Sequence, residues 1–293
     1  MNKKKIIISI LIGLIVAGIS FTTGYLIGKE EPKQEIKGSS TKEEKEQGKN
    51  NETEKENNKK EPTNEDNILD EDEITITYTE ESSTTTNKKN VIIAENNRNI
   101  PEIIYPSNQN VADKIEKSLI QLSDKEWDDI ISTSKEIAEV GPFAESTETE
   151  GLGASLTFSN LPIYNKRITF NLILEGGFGG VGWFNCYGYN YDITTGELLT
   201  FESITNDYTK LMTDLMPEVN RKLDIIKKET EIYETSEERL KTLITTNGNW
   251  YFTATGLLIV FQKYEIADGA TGPVAIEISK DFINPYLKDE YKL

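Results

Sequence analysis

The sequence has no histidine, one cysteine and a deficit of basic side chains: 32 Lys and Arg against 50 Asp and Glu in 293 residues. Without histidine, the chain has no Ser-His-Asp triad, no Cys-His dyad and no His-ligated zinc or iron site. The lone cysteine, Cys186, excludes an intramolecular disulfide and a CxxC centre. The net charge of −18 argues against nucleic acid and anionic lipid as partners, because both are polyanions.

Charge is also absent from one long run, residues 6–28. As a helix this run spans ~34 Å, which is enough to cross the hydrocarbon core of a bilayer. Three lysines precede it, which predicts a cytoplasmic segment at residues 1–5, a transmembrane anchor at 6–28 and an extracellular remainder. The alternative is a cleaved signal peptide, with passable cleavage sites at Val16–Gly18 and Thr22–Gly24. Either interpretation predicts that the rest of the chain is exported.

Residues 29–73 contain 9 Lys and 16 Asp or Glu, and their only apolar side chains are Ile36, Ile68 and Leu69. Such a segment cannot bury enough apolar surface to offset the entropy of ordering itself. We therefore predict a disordered, solvated linker. Its r.m.s. reach of roughly 35–40 Å would hold a folded domain away from the membrane.

From residue 74 onward the composition is that of a folded domain. Ile74, Ile76 and Tyr78 alternate with threonines and predict a strand. Apolar residues at helical spacing predict a helix beginning near Asn110 as its N-cap. Ser123 with Glu126 forms a capping-box pattern, which predicts that a second helix starts there.

The second half of the chain has strand patterns at 168–174, 183–191, 257–261 and 274–278. Helical spacing over 211–226 contains Pro217, which predicts a kink or two abutting helices. Thr235 with Glu238 predicts the cap of a last long helix. Because strands and helices cluster in blocks, we predict an α+β fold with antiparallel sheets and packed helices.

A glycine-rich segment, Gly177–Gly182, matches the GxGxxG pattern. A dinucleotide site needs a helix directly after the glycines, whereas the residues that follow here alternate like a strand. We therefore interpret the segment as a wide hairpin connection, either structural or open to a ligand. The candidate ligand-binding residues are Gly176, Gly177, Gly179, Gly180, Gly182 and Trp183.

The strand after these glycines has an aromatic face, formed by Trp183, Tyr187, Tyr189 and Tyr191. The favoured interpretation is that this face packs in a core, and the alternative is a platform for sugar or protein binding. Cys186 lies on the opposite face and is expected to be a buried, unreactive thiol.

Carboxylates are abundant, so a pair for glycoside hydrolysis remains open, but no motif marks one out. The acidic run at 70–73 lacks the spacing of an EF-hand loop. We expect no enzymatic activity, no metal ion and no cofactor.

Several motifs together resemble the PdaC/RsiV-like superfamily of bacterial extracytoplasmic domains. They are the helix near Asn110, the turn Tyr191–Gly196, and the pattern of an aromatic strand at 250–255, Gly256, Phe261-x-x-Tyr264-Glu265-Ile-Ala and Gly272-Pro273. The resemblance covers about residues 74–288. It implies an α+β ectodomain with a PdaC-type N-terminal subdomain at 74–199 and an RsiV-type C-terminal subdomain at 200–293.

The resemblance also implies two known roles. A peptidoglycan deacetylase needs a His-rich metal site, which this sequence lacks. A lysozyme-sensing anti-sigma factor needs a cytoplasmic segment to hold its sigma factor, and five residues are expected on that side, so we expect no sigma-factor partner. Members of the family often have a histidine shortly after the Gly-Gly pair, where this chain has Phe178-Gly179.

The remaining function is a membrane-anchored domain that binds or senses something at the cell surface. Residues 89–293 carry a net charge of −13, which favours a cationic partner. A basic wall-active protein such as lysozyme, or a cell-wall glycan fragment, fits this expectation. The alternatives are a carboxylate-dependent cell-wall enzyme and a passive envelope protein without a soluble ligand.

Overall fold

Alternating apolar side chains build two β-sheets in the computed structural model, which describes residues 74–178 and 181–293. The strands are β1 (Thr75–Thr86), β2 (Ile92–Ile104), β3 (Gly153–Asn160), β4 (Arg167–Phe178), β5 (Val181–Asp192), β6 (Trp250–Phe252), β7 (Gly256–Phe261) and β8 (Val274–Ser279). The helices are α1 (Gln109–Glu139), α2 (Gly141–Ala144), α3 (Tyr208–Ile226), α4 (Glu237–Thr245) and α5 (Lys280–Ile283), with 3-10 turns at Asn284–Tyr286 and Asp289–Tyr291.

The first five strands form one sheet in chain order. Neighbours are antiparallel except β2 and β3, which are parallel and pair at Asn97–Ser155 and Arg98–Leu156, with a further parallel bridge from Ala94 to Leu152 just before β3. The 31-residue helix α1 connects these two strands, because parallel neighbours need a long crossover. The predicted α+β fold with antiparallel sheets and packed helices is confirmed, with this parallel pair as an exception.

One face of the five-stranded sheet packs against α1 and forms the core of the N-terminal lobe, which ends at Ile193. Every second residue of β3, β4 and β5 contributes to it, as period-two alternation requires. Its buried members include Leu156, Phe158, Phe170, Leu172, Leu174, Tyr189 and Tyr191 from the strands, and Ile115, Leu119, Trp127 and Ile130 from α1.

The C-terminal lobe begins at Leu199 and has a core of its own. The antiparallel sheet β6-β7-β8 packs against α3 and α4. Leu215 and Val219 of α3 and Ile259 of β7 are completely buried there.

Side-chain amides join the two lobes along β5. Asn190 Nδ2 donates to the carbonyl of Trp250 (3.2 Å), and Asn190 Oδ1 accepts from the backbone N–H of Phe252 (3.1 Å). Gln262 Oε1 accepts from the N–H of Cys186 (2.9 Å), and Gln262 Nε2 donates to the Cys186 carbonyl (2.8 Å). The Asn190 amide therefore takes the place of a neighbouring strand for the backbone groups at the edge of β6. The Gln262 amide does the same for the backbone groups at the edge of β5.

Two predictions about helices are wrong. The first helix begins at Gln109, after Asn108 as its N-cap, and does not restart at Ser123. Ser123 is buried inside α1 and its hydroxyl donates to the Ile120 carbonyl (3.0 Å). The helix continues because Leu119, Ser123 and Trp127 form one uninterrupted buried stripe.

The later helices differ from expectation in smaller ways. One helix, α3, runs through Pro217, which excludes two abutting helices. The N-cap of α4 is Ser236, whose hydroxyl accepts from the N–H of Arg239 (3.3 Å), instead of Thr235.

The predicted membrane anchor at 6–28, the predicted linker at 29–73 and the residues Gly179 and Gly180 lie outside the described residues. Within the part of the chain that the structure describes, no helix combines the length and hydropathy needed to span a bilayer.

Candidate functional site

The β4–β5 hairpin has a base, at Arg167–Asp192, and a tip, at Phe178–Val181. At the base, the C-terminal lobe covers the face that α1 leaves open. The Arg167 guanidinium carbon lies 4.1 Å from the ring centroid of Phe252, and its Nη1 donates to the carbonyl of Tyr291 (2.8 Å). Because this environment is buried, the pKa of Arg167 falls to about 10.

The coverage ends near the middle of the hairpin. The side chain of Tyr251 lies on Gly188, where a Cβ would be 2.2 Å from Tyr251 Cδ1. Ile173, at the level of the Gln262–Cys186 bridge, and Glu175 and Phe184, beyond it toward the tip, are only half-buried on this face. The sheet therefore presents an open surface at the tip.

Three glycines lie side by side across this surface. Gly153 of β3 pairs with Gly177 of β4, which pairs with Gly182 of β5. We call these residues the glycine row. Because none has a side chain, the row forms a shallow channel at right angles to the strands.

A row of polar and aromatic residues runs beside the channel. Asn97, Ser155, Glu175 and Phe184 are successive cross-strand partners, and we call them the polar row. Around the β2–β4 part of the two rows lies a depression of about 390 Å³. Its lining residues are Glu95, Asn97, Gly151, Leu152, Gly153, Ala154, Ser155, Glu175 and Gly176.

Two glycines of this region are required by the backbone itself. Gly153 has φ +144°, and a Cβ there would lie 2.0 Å from the Glu95 carbonyl oxygen. Gly176 has φ +152°, and a Cβ there would lie 2.4 Å from Ala154 Cα. Gly182 is different: a Cβ would have only one neighbour, the Gly176 carbonyl oxygen at 3.6 Å. A side chain at Gly182 is therefore compatible with the fold.

The surface is electronegative. Residues 74–293 contain 34 acidic and 20 basic side chains. Among the described residues, neither Glu95 nor Glu175 has a Lys or Arg nitrogen within 4 Å, whereas Glu81 and Asp124 share Arg98 on the α1 side. The cation at the end of the glycine row is Lys263, whose Nζ donates to the carbonyl of Gly182. Two carboxylates at the depression are thus uncompensated.

The predicted site residues separate into three groups. Gly176, Gly177 and Gly182 belong to strands, because pairing continues to Phe178–Val181, so the expected wide connection is wrong for these three. Gly179 and Gly180 lie outside the described residues. Trp183 lies on the opposite face, where its ring packs edge-on against Phe178 (5.1 Å between centroids). The ligand-binding role of all six stays a prediction.

Sequence reasoning missed Glu95, Gly153, Ser155 and Glu175. A signal for β3 existed, since Ala154, Leu156 and Phe158 alternate with hydroxyl residues after Gly153. Nothing in the sequence indicated that β3 would pair with β4 and align their glycines.

The other expectations for β5 can be compared directly. Tyr189 and Tyr191 are buried in the α1-side core, and Trp183 and Tyr187 are half-buried against it, as the favoured interpretation predicted. Cys186 is half-buried and not fully buried as expected. Desolvation still raises the pKa of its thiol to about 11, so the thiolate is scarce near neutral pH. Within residues 74–178 and 181–293, no group of three or more Cys, Asp or Glu side chains is placed to hold a metal ion.

Comparison with known protein families finds a match for one segment of the chain. Residues 202–281 match the model of DUF3298, described as a protein of unknown function. The match covers most of the C-terminal lobe. No curated protein sequence matches the chain.

Two solved structures resemble the fold. A DUF3298 family member from Bacteroides fragilis has a TM-score of 0.54 at 14% identity, over 74% of this chain and 94% of its own. A DUF3298 family protein from Pseudomonas aeruginosa has a TM-score of 0.45 at 12% identity, over 74% of this chain and 95% of its own. The first likeness extends the shared fold from the matched segment to both lobes.

Proposed function

We propose that this chain is a membrane-anchored binding or sensing protein of the bacterial cell envelope. The uncharged run at 6–28 with its preceding lysines supports a single-pass anchor with a cytoplasmic N-terminus. The charged segment 29–73 supports an extracellular linker that carries the folded domain.

We further propose a relation to the PdaC/RsiV-like superfamily, with a boundary between the subdomains near residue 199. The DUF3298 match at 202–281 lies inside the proposed RsiV-type subdomain and is compatible with this relation. The two hydrophobic cores also separate between Ile193 and Leu199, close to the proposed boundary.

The ligand in this proposal is cationic and docks at the tip of the β4–β5 hairpin. The observation that carries it is the pair of uncompensated carboxylates, Glu95 and Glu175, beside a channel without side chains. A basic wall-active protein such as lysozyme would be steered toward this field, and a peptidoglycan fragment with free amines would meet the same carboxylates.

A second candidate function is a carboxylate-dependent cell-wall enzyme. The observation that favours it is that both carboxylates line the same depression, as acid and base do in glycosidases. We favour binding without catalysis, because the depression is shallow and a catalytic pair works from a site that excludes water.

The experiment titrates the full-length chain in detergent micelles with lysozyme and with soluble muropeptides, at low and high ionic strength. Glu175→Gln should weaken binding about tenfold, because it removes one of the two carboxylate charges of the docking surface. Gly182→Val should weaken it at least as much by filling the channel, and far-UV circular dichroism should be unchanged, since the site has room for a Cβ.

The matched control is Glu136→Gln on the exposed side of α1, which makes the same change of charge behind the sheet. Equal weakening by the two Glu→Gln variants would show that binding depends on the net charge of the domain and not on the carboxylates at the tip. Release of reducing sugar from peptidoglycan by the wild type, lost in Glu175→Gln, would favour the enzyme instead.

A further inference from the structure

Three hydroxyl side chains follow one another along the face of β3 that points away from α1. They are Ser155, Thr157 and Ser159, and we call them the hydroxyl row. Neighbouring members lie ~7 Å apart, because every second residue of a strand points to the same face. All three are half-buried, and among the described residues none of the three hydroxyls has a hydrogen-bond partner. On β4, by contrast, the hydroxyl of Thr169 donates to Asn190 Oδ1 (2.9 Å).

A buried amide without a partner lies beside this row. Asn171 of β4 is the direct cross-strand partner of Ser159, so both side chains point to the same face. Asn171 is only 4% exposed, and its Oδ1 is buried without a hydrogen-bond donor. Such a group is rare in a folded protein, because an unpaired buried acceptor costs stability. The terminal torsion of an asparagine has broad minima, so the amide can turn its oxygen toward the row.

The neighbouring strands leave the row uncovered. After the pairing at Asn97 and Arg98, β2 is replaced along β3 by the amide of Asn99, which bonds both backbone groups of Phe158. At the other end of the row, Ser155 lines the depression of about 390 Å³. The row therefore extends ~13 Å from the depression to the level of Asn171.

The chemistry of this face favours one class of ligand. The backbone groups of β4 are used in ladders with both β3 and β5, so an extended peptide cannot add to it as a further strand. The side chains from Thr157 to Asn171 are uncharged, and the half-buried Ile173 lies between them as the partner of Thr157. Hydroxyls that both donate and accept, next to an apolar patch, match the hydroxyls and C–H faces of a sugar ring.

We propose that the hydroxyl row and Asn171 bind a neutral, N-acetylated saccharide. An acetamido group carries one donor and one acceptor in the same arrangement as a side-chain amide, so it pairs with both polar ends of Asn171. Its methyl group packs on Ile173, and the ring hydroxyls bond to the hydroxyl row. This inference goes beyond the proposed function, because its ligand is uncharged and is held by neutral side chains of β3 and β4.

The experiment titrates the full-length chain, in micelles of a detergent without a sugar head group, with the tetramer of N-acetylglucosamine. The deacetylated glucosamine tetramer is the charged probe. Binding of the N-acetylated tetramer should change less than about twofold between low and high salt, because no charge is involved. Thr157→Val keeps the shape of the side chain and removes its hydroxyl, so it should weaken binding about fivefold. Thr75→Val makes the same change at an exposed position of β1 and should leave binding unchanged.

A second variant separates a binding role of Asn171 from a structural one. Asn171→Leu should weaken binding at least about tenfold, while its melting temperature equals or exceeds that of the wild type, because the fold loses an unpartnered polar group. A lowered melting temperature with binding unchanged would overturn the inference. Equal effects of the two Thr→Val variants, or no binding of the N-acetylated tetramer, would also overturn it.

The two probes keep this test apart from that of the proposed function. Binding of the glucosamine tetramer alone, weakened by salt and by Glu175→Gln, would overturn the saccharide inference and support the cationic ligand. Binding of the N-acetylated tetramer without any binding of lysozyme or muropeptides would support the saccharide inference and contradict the cationic ligand.

Discussion

The base and the tip of the β4–β5 hairpin belong to the same two strands but have different surroundings. At the base, α1 and its core cover one face, and Phe252 and Tyr291 of the C-terminal lobe cover the other. At the tip, Phe178 and Trp183 still pack on the α1 side, while the opposite face holds the glycine row and the depression.

The difference shows how an open surface arises on a well-packed sheet. Both strands are 12 residues long. The backbone of the C-terminal lobe is bonded to β5 as far as the bridge between Gln262 and Cys186, and the side chain of Lys263 extends from there to the carbonyl of Gly182. Beyond this bridge the outward positions of the two strands are Glu175, the half-buried Phe184 and two glycines, Gly177 and Gly182. Recognition surfaces commonly form in this way, on a rigid element whose fold is maintained elsewhere.

The largest expected difference in stability is between two phenylalanine-to-alanine variants, one at the base of the hairpin and one beside its tip. Phe252→Ala should lower the free energy of unfolding by about 4 kcal/mol, because it opens a cavity in the cover of the base. Phe184→Ala, at the half-buried position beside the tip, should lower it by only about 1 kcal/mol. Thermal unfolding of the full-length chain, followed by tryptophan fluorescence, measures both. Similar losses of unfolding free energy in the two variants would mean that the face at the tip is buried to the same extent as the face at the base.

Two glycine-to-alanine variants at the tip should differ by an intermediate amount in stability, because the backbone requires glycine at one position and accepts a side chain at the other. Gly176→Ala should lower the free energy of unfolding by about 2–3 kcal/mol, because its Cβ meets Ala154 and its φ of +152° disfavours a side chain. Gly182→Ala should change it by less than about 0.5 kcal/mol. The same melting experiment tests the pair, and a large loss in Gly182→Ala would mean that the whole row is structural.

The smallest effect concerns Cys186, at the border between base and tip. Its folded-state pKa of about 11 lies above the unfolded value, so its contribution to stability is complete below about pH 8.5 and is lost as pH rises toward 11. The melting temperatures of the wild type and Cys186→Ala should therefore differ by the same amount at pH 6 and pH 8, and converge or cross above pH 9.

Alkylation with iodoacetamide gives the chemical counterpart of that titration. At pH 8.5 the folded thiol should react about 100-fold more slowly than the thiol of the chain unfolded in guanidinium, since its thiolate fraction is lower by that order. Equal rates would mean that the Cys186 thiol is as accessible to solvent in the folded chain as in the unfolded chain.

Much of the local structure was predictable because it depends on neighbouring residues. Period-two alternation located β4, β5 and β8, a continuous apolar run located β7, and helical spacing located α3 and the beginning of α1. The division at Ser123 failed because a capping pattern inside a continuous buried stripe has no effect on the helix. Tertiary packing decided that case against the local motif.

The candidate site was predictable only in part. The sequence indicated a glycine-rich segment at 176–182. It did not distinguish Gly176, where the backbone conformation requires glycine, from Gly182, where a side chain fits. Glu95, Gly153 and Glu175 come from three strands: all of α1 lies between the first two strands, and a six-residue connection joins the last two. Their proximity follows from strand register, which depends on contacts that no local pattern encodes.

The sequence by itself determined the acidic charge, the lack of histidine, the uncharged run at 6–28 and the alternation that gives each strand two unlike faces. Only the tertiary structure decided which of those faces is covered, and over what length. The physical reason is that alternation specifies a side chain's direction, whereas burial depends on how far a distant element extends over it. Here that element is the C-terminal lobe, whose cover over the sheet stops at the bridge between Gln262 and Cys186 and leaves the face of the glycine row open.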